Sequence, residues 1–159
     1  QTLHQSHVWI PPFADPRQHP RTKGPDIARL AELRRQAYEE HKCDEVLLVE
    51  EHGFAVESAT SSLLWWEDET LCAPHPDLAH LPGVTTSLIQ DEARRRSISI
   101  EYRRVQPEDL SGHEVWLVNA LHGIRRVRAF SGLYDSVASP APGCFYDWKQ
   151  WLDRRSEAI

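Results

Sequence analysis

The stretch that most constrains this chain is a pair of short apolar runs around a turn. Val46-Leu47-Leu48-Val49 is an unbroken apolar run, Glu51-His52-Gly53 carries a turn signal, and Phe54-Ala55-Val56-Glu57 returns. Runs this short, bounded by turn residues, read as buried strands, and the pair reads as a hairpin. A small-residue bend, Ser58-Ala59-Thr60-Ser61, follows it. Ser62 to Trp66 and Thr70 to Ala73 then read as two strands around an acidic turn. Helical spacing brackets this β region. Pro25-Asp26 opens a helix to about Lys42, with Asp26 as N-cap or first-turn acid and Ile27, Leu30, Leu33, Ala37 and Tyr38 on one face. Pro74 to Pro82 reads as a loop and Val84 to Arg96 as an amphipathic helix. Ile98 to Val105 alternates like a half-buried strand, Pro107 to Leu110 is a helical turn, and Glu114 to Val118 is a strand. Asn119 to Val127 reads as a loop leading to a further strand, and Gly143 to Ala158 as an aromatic amphipathic helix. Residues 1–22 read as an irregular, proline-rich lead-in, within which HVWIPPF is a strand or edge that ends at its prolines. The sum is an α+β domain with a mixed or antiparallel sheet and flanking helices.

Composition narrows the function classes. A chain of 159 residues fits one domain with a real core. Its net charge of -6 argues against a nucleic-acid binder, which shows a basic face. No apolar run reaches membrane-span length. The N-terminus QTLHQSHVW has neither the basic start nor the apolar stretch of a signal peptide. Three widely spaced cysteines, Cys43, Cys72 and Cys144, read as reduced thiols of a cytoplasmic protein. The chain contains no methionine, so it is expected to begin inside a longer gene product. Cys72, His75 and His80 have a metal-like spacing, but no second ligand cluster accompanies them, and the expectation is an ordinary loop without metal. The tryptophans read as core and interface residues, and Arg94-Arg95-Arg96 as a solvated helix face.

Chemistry concentrates in a few positions. Lysine is scarce, with only Lys23, Lys42 and Lys149 against fifteen arginines, so few groups can serve as a reactive amine. Lys23 stands just before the first helix, Glu57 ends a strand, and Leu81-Pro82-Gly83-Val84-Thr85 opens the second helix. Each has an ordinary reading: a surface charge, a strand-end acid, a tight turn with a cap. Together they are the parts needed to hold pyridoxal 5'-phosphate. A lysine amine forms a Schiff base with an aldehyde. A carboxylate keeps a pyridine nitrogen protonated. A helix N-terminus offers N–H groups to a phosphate.

The blocks KGPDIARLAELRRQA, CDEVLLVEEHGFAVESATSSLLWW, LPGVT and VWLVNALHGIRRV make the chain similar to the C-terminal domain of class-IV aminotransferases, the fold-type IV pyridoxal-phosphate enzymes. The resemblance covers about two thirds of the chain, from Lys23 to Val127. It implies that Lys23 is the Schiff-base lysine and that Glu57 pairs with the pyridine nitrogen. It further implies that Leu81 packs on the ring and that Gly83, Val84 and Thr85 hold the phosphate. Thr60 and Ser61 would line the site, and Asn119, Ala120 and Leu121 would form a loop over the cofactor. The NAL form of that loop looks most like 4-amino-4-deoxychorismate lyases. The implied reaction is loss of pyruvate and 4-aminobenzoate from 4-amino-4-deoxychorismate, with branched-chain or D-amino-acid transamination, or a non-catalytic interaction domain, as alternatives. The implied partners are a small-molecule amino substrate and a second copy in a homodimer. Ser58 replaces a common glycine, and Arg126 a common proline. The family's N-terminal domain, which supplies an arginine to the phosphate, is absent. Residues 23–159 would form the cofactor-binding domain, completed by a missing N-terminal half or a second chain.

Overall fold

The computed structural model describes residues 5–158, apart from Ala79, Pro82 and 138–143. Pro82 of the expected helix-opening turn and Gly143 of the expected last helix lie outside the described residues. The elements in chain order are β1 (Gln5–Ile10), α1 (Ile27–His41), β2 (Glu45–Val49), β3 (Ala55–Ser58), β4 (Ser62–Glu67), β5 (Thr70–Pro74), α2 (Val84–Arg95), β6 (Ile100–Arg103), a 3-10 turn (Pro107–Leu110), β7 (Glu114–Asn119), β8 (Gly123–Gly132), β9 (Ser136–Val137) and α3 (Phe145–Ala158). They form the α+β architecture expected from the sequence. The strands make one mixed sheet in the order β3-β2-β1-β8-β7-β4-β5-β6, with β9 on β8.

The β2–β3 hairpin forms as its apolar runs dictate, antiparallel, with Leu48 opposite Glu57. Every β2 residue is buried, as a strand covered on both faces must be. The strand or edge expected at HVWIPPF within the lead-in forms as a regular strand. β1 is interior and parallel to both β2 and β8, with Val8 and Ile10 fully buried. Pro11 and Pro12 end it, because proline offers no N–H to a ladder. A close approach accompanies this pairing: a Cβ at Gly132 would lie 2.3 Å from the Ile10 carbonyl, so only glycine fits there. The expected loop from Asn119 to Val127 is also corrected. β8 begins at Gly123, so only 120–122 turn between two strands, with Asn119 opposite Gly123. Beyond the other edge, the Ala55 N–H donates to the Val105 carbonyl at 2.8 Å, which brings the segment after β6 to β3.

Helices α2 and α3 cover one core, built from Trp66, Trp116 and Trp148 with Leu64, Leu71, Ile89 and Ile124. Trp116 packs edge-on against Trp66 and Trp148, at centroid distances of 5.5 and 6.1 Å. The arginine run at the end of α2 is only partly solvated. Arg96 lies 4.2 Å over the Trp148 ring and pairs with Asp147 at 2.8 Å, clamping α2 to α3. Helix α1 packs Leu33 and Ala37 over Val46, Leu48 and Val56. No described helix is long and apolar enough to cross a membrane.

Candidate active site

Four backbone segments converge on one cavity of about 560 Å3. They are the segment entering α1, the bend from β3 to β4, the start of α2, and the end of β7. Lys23, Glu57, Thr60, Ser61, Leu81, Gly83, Val84, Thr85, Asn119 and Ala120 all line it. The structure thus brings these ten residues together, although they are spread over almost a hundred positions, whereas Leu121, expected beside Asn119 and Ala120, is exposed and does not line the cavity. The volume suits a small cofactor with substrate.

Local chemistry explains how each segment is held. Asp26 takes the N-cap position of α1 but does not cap it. Its carboxylate turns back and accepts the N–H groups of Gln18 at 3.1 Å and His19 at 2.9 Å. These bonds, Gln18 first, hold its carboxyl below the usual carboxylate range and fold the lysine-bearing loop onto the helix. Lys23 is exposed, and among the described residues no carboxylate pairs with it. Gly83 precedes α2 at the N-cap, and α2 has no side-chain cap. A Cβ at Gly83 would meet Ser62 Oγ at 2.6 Å and Thr86 Oγ1 at 3.0 Å, so the helix start sits tight against β4. The first-turn N–H groups are therefore left to whatever lies beyond the helix end. Thr85 is buried there, while Val84 is exposed.

Glu57 is the electrostatic centre. Its Oε2 accepts the Arg17 Nη1–H at 2.6 Å and the Leu81 N–H at 3.0 Å, and Oε1 accepts no hydrogen bond among the described residues. Arg17 also grips Asp15 through Nε at 3.0 Å and Nη2 at 2.8 Å. Side-chain exposure is only 2% for Arg17 and 5% for Glu57. One guanidinium thus faces two carboxylates in a buried place. Burial pushes the Glu57 carboxyl up to about 7; the Arg17 hydrogen bond and charge and the Leu81 N–H oppose the rise, and Asp15 adds to it.

A stability prediction follows from the raised Glu57 carboxyl. The folded value lies above the ordinary 4.5, so the contribution is fully present below about 4.5 and is lost as pH rises through about 7. Urea unfolding of the native chain and of Glu57→Gln at pH 5 and pH 8 measures it. The native chain should lose up to about 3 kcal/mol more than the variant across that interval, because a tenfold change in proton affinity is worth about 1.4 kcal/mol. Parallel pH dependence in the two proteins would show that Glu57 titrates in its ordinary range.

Sequence reasoning missed Arg17, Glu45 and Arg125. Arg17 sits in an unpatterned proline-rich stretch and meets Glu57 forty positions away. Glu45 offered a signal, since an acid abutting a wholly apolar run must be buried and paired. Its fully buried side chain pairs with Arg125 at 3.2 Å and accepts the Thr60 hydroxyl. Arg125 also donates to Ser61 Oγ at 3.2 Å, and Asn119 Nδ2 donates to the same oxygen at 2.9 Å. These residues form a polar floor under the cavity.

Comparison with known proteins fits this arrangement. The family model described as Amino-transferase class IV matches residues 4–130. The chain belongs to this family. Class IV membership takes in β1 at one end and most of β8 at the other. Among curated proteins none matches the sequence. Solved structures share the fold. The fold IV-transaminase CpuTA1 of Curtobacterium pusillum is 21% identical with a TM-score of 0.81, over 98% of this chain and 54% of its own. A putative 4-amino-4-deoxychorismate lyase of Legionella pneumophila is 20% identical with a TM-score of 0.79, over 96% and 56%. A hypothetical aminotransferase of Mycobacterium tuberculosis, bound to alpha-ketoglutarate and PMP, is 20% identical with a TM-score of 0.76, over 91% and 53%. The chain therefore spans about half the length of these class IV structures, and its fold is that of the fold-type IV C-terminal domain.

Proposed function

We propose that this chain is the cofactor-holding half of a pyridoxal-phosphate enzyme with lyase-like chemistry, converting 4-amino-4-deoxychorismate to 4-aminobenzoate and pyruvate. One observation carries the reading: a lysine free of carboxylates, an acid with an open oxygen and an uncapped helix start share a single cavity. The donor set fits the group. Glu57 keeps Oε1 open for a ring N–H, and the α2 start keeps N–H groups open for a phosphate. When bound, pyridoxal phosphate supplies an aldehyde for amine exchange and a protonated ring that draws electrons from the reacting carbon.

The chain's own residues do the rest. Lys23 would hold the cofactor through its amine and, with that amine free, would hold and move a proton at the reacting carbon of the substrate as general base and acid. Glu57 Oε1 holds the proton on the ring nitrogen. Arg17 and the Leu81 N–H fix that carboxylate through its other oxygen. Thr85 and the backbone at Gly83 and Val84 anchor the phosphate, Leu81 packs on the ring, and Thr60, Ser61, Asn119 and Ala120 bound the reacting side. In this reading residues 23–159 form the cofactor unit, with β1 as an added strand. An N-terminal domain or second chain completes the pocket, and the enzyme works as a cytoplasmic homodimer.

The lyase outcome draws on the Asn119-Ala120-Leu121 turn. Transamination of branched-chain or D-amino acids is the second reading, because the fold is shared with the transaminase CpuTA1 as well as with the putative lyase. Both begin with the same amine exchange and proton removal, so Lys23 and Glu57 serve either. An assay with 4-amino-4-deoxychorismate beside one with amino-acid donors separates them. The expected products are 4-aminobenzoate and pyruvate, and keto acid from the amino donors alone would overturn the lyase assignment.

A further inference from the structure

Hydrogen-bond accounting in the cavity floor fixes the direction of one proton. Asn119 Oδ1 accepts the His122 N–H at 2.7 Å, which sets the amide orientation. Its Nδ2 then faces the Thr60 carbonyl at 3.1 Å and Ser61 Oγ at 2.9 Å. From below, Arg125 Nη2 donates to Ser61 Oγ at 3.2 Å. A hydroxyl has two lone pairs and one proton, and neither an amide nitrogen nor a guanidinium can accept. Both lone pairs of Ser61 are thus taken, and its own O–H must donate away from Asn119 and Arg125. Thr60 Oγ1, whose proton goes to the Glu45 carboxylate, could accept from Ser61 only across 3.3 Å, long for an O–H···O bond. The direction open to a bond of normal length is the cavity that Ser61 lines.

We propose that Ser61 is a fixed hydrogen-bond donor of this site and selects ligands that present an anionic oxygen, a carboxylate or a phosphate. The Glu45–Arg125 pair, with 0% and 8% side-chain exposure, acts through Ser61 as a positioning pair. Arg125 keeps one lone pair of the hydroxyl occupied, and its charge strengthens the outward donation. Glu45 anchors Arg125 and withdraws the Thr60 proton, so the two neighbouring hydroxyls do not compete as donors. The inference deepens the reading of the cavity as a site for small anionic compounds, and rests on it.

The test is Ser61→Ala, a change that leaves Asn119 its Thr60 carbonyl and Arg125 its Glu45. Equilibrium binding is measured by tryptophan fluorescence with four probes: pyridoxal phosphate, pyridoxal, inorganic phosphate and pyruvate. The variant should bind pyridoxal as the native chain does. It should lose about tenfold for the phosphate-bearing probes if the phosphate is the partner, or for pyruvate if the partner is a carboxylate. A second variant, Asn119→Asp, turns a donor into an acceptor and draws the Ser61 proton away from the cavity. Its effect on the same probe should shrink severalfold in the Ser61→Ala background, where only the added charge remains. The proposal is overturned if Ser61→Ala leaves every anionic probe within twofold, if pyridoxal weakens equally, if the two substitutions combine additively, or if the native chain binds none of the anions. Binding of phosphate or pyruvate that depends on Ser61, without any binding of pyridoxal compounds, would sink the cofactor reading and keep this one.

Discussion

Replacing Lys23 with alanine is expected to abolish covalent attachment of pyridoxal phosphate. The native chain should develop a visible absorbance band with added cofactor that borohydride makes permanent, and the variant should show neither. The expectation is absolute because the alternatives are badly placed. Lys42 ends α1 in a left-handed conformation and does not line the cavity. Lys149 sits on α3 and pairs with Asp153 at 3.3 Å. No other primary amine side chain exists in this sequence. Absorbance titration and intact-mass measurement after reduction check the result.

The second large effect is structural. Arg17→Met removes the one cation that, among the described residues, pairs with Asp15 and Glu57, both nearly inaccessible. Breaking a buried pair leaves charge without a partner, at a cost of about 3–5 kcal/mol. The loss should be largest near pH 8, where Glu57 is ionised, and smaller near pH 5, where its raised carboxyl holds a proton. Adding Glu57→Gln to Arg17→Met should recover part of the stability at pH 8. Urea unfolding of the single and double variants measures this, and a loss below about 1 kcal/mol, the range of exposed pairs, would place the cluster in solvent.

Much of this molecule is legible in its sequence because its strands are short, apolar and separated by strong turn residues. The β2–β3 hairpin and the β4–β5 pair can be placed to within about a residue, since Gly53 and the acidic turn at 67–69 leave no other break. β8 is harder. Arg125 and Arg126 interrupt its apolar pattern, and only the fold reveals where the guanidiniums lie, Arg125 against Glu45 and Ser61 and Arg126 over the Phe145 ring. β1 reads as an edge because prolines follow it, whereas its interior position depends on parallel partners far along the chain.

The candidate site divides in the same way. Lys23, Glu57 and the α2 start are local signals with a chemical meaning, and family blocks supplied Thr60, Ser61, Asn119 and Ala120. The residues that tune them are not local. Arg17 meets Glu57, and Arg125 meets Ser61, across separations of 40 and 64 positions, and no periodicity encodes such meetings. They follow from how the sheet is ordered, which a pattern of apolar residues does not specify.

The most direct test of the central claim is to map the site of cofactor attachment. The chain is mixed with pyridoxal phosphate, reduced with borohydride, digested and sequenced by mass spectrometry, once as the native protein and once as Glu57→Gln. The account predicts a single modified peptide carrying Lys23, with occupancy or affinity reduced in the variant. Label spread over Lys23, Lys42 and Lys149, unaffected by the change at Glu57, would contradict it.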